Sequence, residues 1–453
     1  MSSKEKELFY EVLKNAKFPH GYSTNIAHWI RKRKLSGLKT HDCHVKMQEL
    51  LPIALRRSTD KRISSVLIEL CTFFRVLCSK VLKLDELKVL EERVPEILST
   101  MEKLFPPGFF TIMGGDSRSY CSKTFGDQIE HDTNKEECRF PTVGESDGGI
   151  DVFKLDEKTW LQAHRHVLFN CESEVVENYK NEHIAEIKRS HRKHCLNQHQ
   201  LDCLHFDTFP EWIKEKATSN IIKDVRVLAQ GPSFIARRFN AFNVNNGYRF
   251  RTKQSEEFKE TQNSGVMVVS KTESYASTSD NAPKSANITY YGRLNDIVEL
   301  NYYEEFKVVL FKCDWVDVTK GRGVKDDELG FTLVNFSRLA HTGNREHHEP
   351  FIFAEQAQQV IFVQDPVDHE WFVPRLIKPR DIFDMGDDNS VQFESSMQSD
   401  LTYLSLLETA RVPENECDDW VRSGVDGIVI ETDIHSLAST NDGEANAEGG
   451  NDI

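Results

Sequence analysis

Between positions 191 and 205 the chain carries His191, His194, Cys195, His199, Cys203 and His205. Imidazole and thiolate are the side chains that zinc prefers. On one continuous helix His191, Cys195 and His199 share a face. No CxxC pair accompanies them, and structural zinc sites normally draw ligands from separate elements. A polar, histidine-rich helix surface therefore competes with the metal reading.

Basic residues offer a second chemistry. Arg31, Lys32, Arg33 and Lys34 form a compact run suited to phosphate contact or nuclear import, or to a solvated loop before Ser36-Gly37. Arg237 and Arg238 are flanked by Phe234, Phe239 and Phe242, a pairing of charge with stacking surface that binds nucleic acid. It equally suits a strand packed beside a charged edge. Lys312, Lys320, Arg322 and Lys325, with Arg338 and Arg345, offer a third contact surface, balanced by Asp314, Asp317, Asp326 and Asp327. Glu304, Asp314 and Asp317 could hold Mg²⁺ as a nuclease does, but nothing in the sequence pairs them. No complete catalytic constellation is present, no cofactor motif occurs, and no Cys–His pair has an orienting acid.

The elements that position these residues centre on Phe306 to Val318, FKVVLFKCDWVDV. Both sides of this run are apolar over its first half, as in a central strand buried on both faces. Ile288 to Asn301, Gly330 to Leu339, Phe351 to Phe353, Gln358 to Gln364 and Trp371 to Leu376 read as further short strands between turn signals such as Asp365-Pro366 and Lys378-Pro379. Upstream, Thr40 to Phe105 has helical periodicity, and Ile63 to Leu77 is apolar almost all round. Trp160 to Glu186 returns to helix, and Phe209 to Lys216 reads as a short helix or turn. Ser255 to Ala286 is rich in Ser and Thr and reads as a surface loop. The resulting division is a helical block at 1–113, a loop at 114–151, a helical continuation at 152–205, a mixed linker at 206–286, a β-rich domain at 287–385 and an acidic, disordered tail at 386–453. The fold class is α+β: an N-terminal bundle-like helical block, then a small antiparallel sheet or half-open barrel. The sheet domain is expected to fold alone, and residues 40–185 to be marginal.

Composition sets the bounds. The 453 residues carry a net charge of −15, with 39 % hydrophobic and 28 % charged residues, and a mean hydropathy of −0.51. From Gly386 onward 16 Asp and Glu face only Arg411 and Arg422, a balance of −14, so the preceding 385 residues are near −1. Repulsion from nucleic acid is thus confined to the tail. No apolar run is long enough to span a membrane. Ten scattered cysteines without a secretory leader point to a reducing intracellular compartment.

Long motifs carry a resemblance. TYYGRLNDIVELNY, VVLFKCDWVDVTKGRGVK, GFTLVNFSRLAHTG, EQAQQVIFVQDPVDHEW and KPRDIFDM, preceded by LAQGPSFIARRFNAFNVNNGYRFRT, resemble a plant domain of unassigned function. That domain lies downstream of the catalytic region in CACTA-type (En/Spm-like) transposases. LSGLKTHDCHVKMQELLPIALR, LIELCTFFRVLCSKV and MEKLFPPGFFTIM resemble a second domain of the same transposases. In intact members an RNase H-like domain holding divalent metal precedes both, and only its trailing end, Glu5 to Leu38, matches here. After Met113 the family pattern breaks off and resumes at Val152. The resemblance implies a transposon-derived, non-catalytic nuclear protein, a remnant of or accessory to the transposase, with DNA or other transposition proteins as partners and no small-molecule substrate. A metal-dependent transposase or nuclease component and a zinc-stabilised interaction module are the alternatives.

Overall fold

The computed structural model describes residues 2–20, 22, 30–31, 34–35, 40–58, 60–77, 84–105, 144–191, 196–217, 223–245, 247–274 and 284–377. The expected tail at 386–453 lies outside them. So does most of the expected loop at 114–151.

Helix α1 (Ser3–Asn15) opens on a capping box between Ser2 and Glu5. A short ladder of β1 (Ile30–Arg31) and β2 (Lys34–Leu35) follows. Helix α2 (Thr40–Val45) passes through a π-helical turn, Lys46–Leu50, into α3 (Leu51–Leu55). Pro52 explains the irregularity, since it has no N–H to return to the Gln48 carbonyl four residues back. Then come α4 (Lys61–Leu77) and α5 (Leu84–Leu104).

The second half begins with β3 (Gly144–Ser146), β4 (Ile150–Lys154), α6 (Glu157–Asn170), α7 (Glu174–Ser190), α8 (Gln198–Lys216) and α9 (Lys223–Gln230). After them come β5 (Ile235–Phe239), β6 (Ala241–Val244), β7 (Arg249–Arg251), α10 (Lys253–Glu256), β8 (Gly265–Ser274), β9 (Lys284–Tyr302), β10 (Phe306–Trp315), β11 (Val324–Asp326), β12 (Thr332–Asn335), β13 (Phe351–Phe353), β14 (Gln358–Gln364) and β15 (Trp371–Leu376). Among the described residues no helix is long and apolar enough to cross a membrane.

The α+β class expected from the sequence holds, with helices first and an antiparallel sheet in the C-terminal half. The sheet has ten strands, in the order β11-β12-β15-β14-β8-β9-β10-β13, with β5 against the far part of β9 and β4 outside β5. Strand β9, 19 residues long, is its spine. It pairs with β8 up to Arg293, with β5 at Ile297 to Glu299, and with β10 from Gly292 to Tyr302. A bulge between Lys312 and Cys313 bends β10. The bridge from Val316 to Leu339 then brings the end of β10 back beside the end of β12. The sheet is thus curled almost into a barrel.

Strand β10 is buried on both faces, as its residues require. Val308 and Leu310 pack with Val298 and Leu300 beneath Val167, Phe209 and Leu228 of the helices. Phe311 and Cys313 turn the other way, onto Phe242 and Phe250 of the small β3-β6-β7 sheet. Inside the curl lie Met267, Val316, Val334, Val360 and Phe362.

Three expectations need correction. The sheet is not confined to 287–385: β8 falls in the stretch read as a loop, β5 in the linker, and β4 begins at the end of the expected loop. Phe209–Lys216 is the last part of a 19-residue helix, α8, which continues through Pro210. The helical block is not an independent bundle. Val12, Leu13, Ile53 and Leu55 share one core with Leu333, Ile361, Val363 and Val373 of the sheet, so each would expose an apolar face without the other.

Buried charges run along this junction. Arg375 of β15 gives one N–H to the Gln48 carbonyl at 2.9 Å and another to the Glu49 carboxylate at 3.1 Å. Arg75 of α4 pairs with the same carboxylate at 3.2 Å and donates to the Leu376 carbonyl at 2.9 Å. The carbonyl that Pro52 cannot serve is therefore taken by the sheet. Nearby, buried Arg56 pairs with Asp327 at 3.0 Å and with Asp365, which also accepts from Arg57 at 2.6 Å. Removing one member of a buried pair leaves an uncompensated charge. Glu49→Gln should therefore cost about 3–5 kcal/mol in a urea unfolding series, and a loss below about 1 kcal/mol would contradict this reading of the junction.

Candidate binding groove

A groove of about 1960 Å³ opens where the β8–β9 ribbon runs beyond its neighbours. Met267, Tyr290, Tyr291 and Trp315 line it from the sheet, and His166, Asn170, His199, Cys203 and Asp207 from helices α6 and α8. The segment between β12 and β13 adds His341, Arg345, His347 and His348.

That segment is pinned by α6. Gln162 donates to the carbonyls of Gly343 and Arg345 at 3.1 and 2.6 Å. Arg165 donates to the Glu346 carbonyl at 3.3 Å and pairs with the Asp207 carboxylate at 3.3 Å. Gly343 has φ +70, a left-handed turn that a side chain would strain. The loop held this way stacks His341 on His348, with ring centroids 4.8 Å apart. His347 meets His348 edge-on at the same separation.

Burial dominates the titration of the groove. It pushes His166 down to about 4 and His164, in the core behind it, to about 3. Asn170 lies 3.3 Å from His166 Nδ1. With the amide donating there, the neutral ring carries its proton on Nε2, a buried atom with no partner among the described residues. Burial, then Asp207 and Asp202, raise the Cys203 thiol. Cys203 is thus a poor thiolate nucleophile. Asp207 and Glu349 are also raised by burial, against the opposing pull of Arg165.

The histidine run is divided between two helices. His191 caps α7, and its Nδ1 lies 3.1 Å from the Ile187 carbonyl. His199 sits in the first turn of α8, which starts at its own capping box, Asn197 with Gln200. His194 and Cys195 lie outside the described residues. One helix face through His191, Cys195 and His199 is therefore not formed. Among the described residues no three His, Cys, Asp or Glu side chains converge as a metal-binding group.

His205 is engaged elsewhere. Its Nδ1 lies 2.7 Å from His183 Nδ1. Thr208 gives its hydroxyl proton to the Leu204 carbonyl at 2.6 Å and can accept from His183 Nε2 at 3.3 Å. His183 is then protonated on Nε2, and His205 donates from Nδ1. This buried pair joins α7 to α8.

The basic candidates are dispersed, and most have partners. Arg31 and Lys34 are register partners in the β1–β2 ladder; Lys32 and Arg33 lie outside the described residues. Arg237 pairs with Glu299 at 3.3 Å. Arg238 pairs with Asp296 at 2.9 Å and lies over the Phe153 ring. Lys312 is 5.9 Å from the centre of the Phe351 ring. Lys325 sits 3.7 Å over Trp371 and 3.6 Å from Asp368. Arg322 pairs with Asp317 at 3.2 Å, and Lys320 is exposed in the turn beside it. Of these candidates Arg322 lines the groove, as does His199.

The carboxylates are not brought together either. Glu304 occupies the β9–β10 turn with φ 63, while Asp314 and Asp317 lie at the far end of β10, roughly 30 Å away at strand rise. The loop histidines were missed, although three in eight residues, His341 to His348, between two strands were visible as a signal.

Because His164 and His166 stay neutral in the fold, the unfolded chain binds protons first as the pH drops below about 6.5. Stability should fall from about pH 6.5 towards pH 4 and level off below the folded value. His166→Phe should reduce that loss by about 3 kcal/mol. Parallel stability–pH curves for the two proteins would contradict it.

Two family models match the chain. A domain of unknown function, DUF4216, spans residues 298–374, from the last part of β9 through most of β15. A second, DUF4218, spans residues 77–115, which include α5. No curated protein and no solved structure matches. The two matched domains are of kinds typical of plant transposon-derived proteins.

Proposed function

We propose that the chain is a non-catalytic, nuclear binding module derived from a CACTA-type transposase, and that its groove contacts nucleic acid. The observation that supports this reading is the groove lining. Lys271 and Arg322 line the groove together with the half-buried rings of Tyr290 and Tyr291. Cations that neutralise phosphate, interleaved with rings on which bases stack, are what sequence-tolerant nucleic-acid binding requires. Other transposition proteins are the further partners implied. The two matched domains agree with a transposon origin, and of the candidate Mg²⁺ carboxylates Glu304 stands at the opposite end of β10 from Asp314 and Asp317.

Binding of the whole chain to a DNA oligonucleotide, measured as a function of salt, tests the proposal. Affinity should fall steeply with salt, and Lys271→Ala with Arg322→Ala should reduce the slope of log K against log salt by about 2. No binding at low salt, or binding whose slope is unchanged in the double variant, would refute the groove as the contact surface.

A further inference from the structure

Exposed apolar side chains collect at one edge of the ten-stranded sheet. Ile150 and Val152 of β4, Ile235 of β5 and Phe234 just before it are 53, 61, 52 and 41 % exposed. Such a cluster on a strand edge marks a surface that another chain can cover. Strand β4 is outermost here, and among the described residues it pairs with β5 alone. Ile150, Asp151, Val152 and Lys154 are all exposed, so the edge is open.

The ladder fixes which groups of β4 are free. Leu155 N–H donates to the Phe234 carbonyl at 2.8 Å, in register with the pairs from Lys154–Ile235 to Ile150–Phe239. Backbone groups alternate along an antiparallel strand. Those of Asp151 and Phe153 therefore also turn to β5, and those of Ile150, Val152 and Lys154 turn outward. Side chains alternate as well. Phe153 packs onto the core beneath the helices, which puts Ile150, Val152 and Lys154 on the opposite face, beside Ile235 and Arg237.

We propose that β4 pairs antiparallel with β4 of a second copy of this chain, about a two-fold axis through Val152 and normal to the sheet. Ile150 then stands opposite Lys154 of the other copy, and Val152 opposite its own equivalent. Every outward N–H and C=O of the three residues meets a partner. Neighbouring registers do worse. A two-fold on Asp151 sets that carboxylate against its own copy. One on Phe153 sets Ile150 against Asp156, the cap of α6, where the strand has ended. Charge also favours Val152 as the centre. Asp151 and Lys154 have no ion partner among the described residues. Pairing lays Asp151 beside the other copy's Phe153, over whose ring Arg238 of that copy lies at 4.1 Å. On the opposite face the Lys154 stem covers Ile150. A strand that matches itself so fully favours a second copy over a foreign strand as the occupant.

Sedimentation of the full chain at rising concentration, joined by crosslinking of cysteine variants, tests this. The full chain should sediment as a dimer. Val152→Pro should leave only monomer with its circular dichroism unchanged, because the N–H it removes takes no part in the β4–β5 ladder. Under mild oxidation Val152→Cys should give a disulfide between copies at position 152, where the opposed Cα atoms stand about 5.5 Å apart. Asp151→Cys, opposed to Phe153, should give roughly tenfold less, and peptide mapping separates either product from those of the native cysteines. A monomer at every concentration would overturn the proposal and leave the edge to a strand of another protein. A dimer that survives Val152→Pro, or equal crosslinking at the two positions, would overturn it as well. If Val152→Pro fails to fold, the cysteine pair decides alone.

Discussion

A single carboxylate, Glu49, sits where an arginine from the helical block and an arginine from the last strand converge, only 4 % exposed. Neither arginine could be buried without it, and it could not be buried without them. A second carboxylate, Asp365 of the sheet half, takes two guanidiniums from the helical block, those of Arg56 and Arg57. Packing alone would let helices α1 and α3 slide over an apolar sheet face. The charges specify one position, because Arg375 and Arg75 each also fill a carbonyl of the other half.

With that junction fixed, one face of β14 and β15 is sealed by helices and the opposite face forms the inside of the curl. Helices α6 and α8 cover the far side of β9 and β10, and Gln162 and Arg165 fasten the histidine loop from there. The groove is what remains, where β8 and β9 outrun their neighbours. Its shape therefore derives from unequal strand lengths. Its polarity comes from a loop whose position α6 dictates.

Much of the architecture was legible locally. β10 and β14 announce themselves because both faces are apolar, and the helix starts carry caps that can be read directly. β8 was not legible: Ser270, Thr272 and Ser274 look like loop residues, and only ten pairings with β9 make them a strand. The break between α7 and α8 could have been found, since Asn197 and Gln200 have capping-box spacing within the histidine run. The pairing of Arg375 with Glu49, 326 positions apart, could not. Charges carry no local mark of their partner, which is also why Arg237, Arg238 and Lys325 read as free cations when each faces an acid in the fold. Only Arg322, five residues from Asp317, had its partner within sight.

The account's central claim is that the helical block and the curled sheet are one cooperative unit. Native-state hydrogen exchange under rising denaturant measures this directly, by comparing the slowest amides of α3 with those of Ile361 to Val363 in β14. The expected result is one opening free energy shared by both sets. Opening of the helices at a free energy several kcal/mol below that of the strands would contradict the claim, and would make the helical block an appendage to a self-sufficient sheet domain.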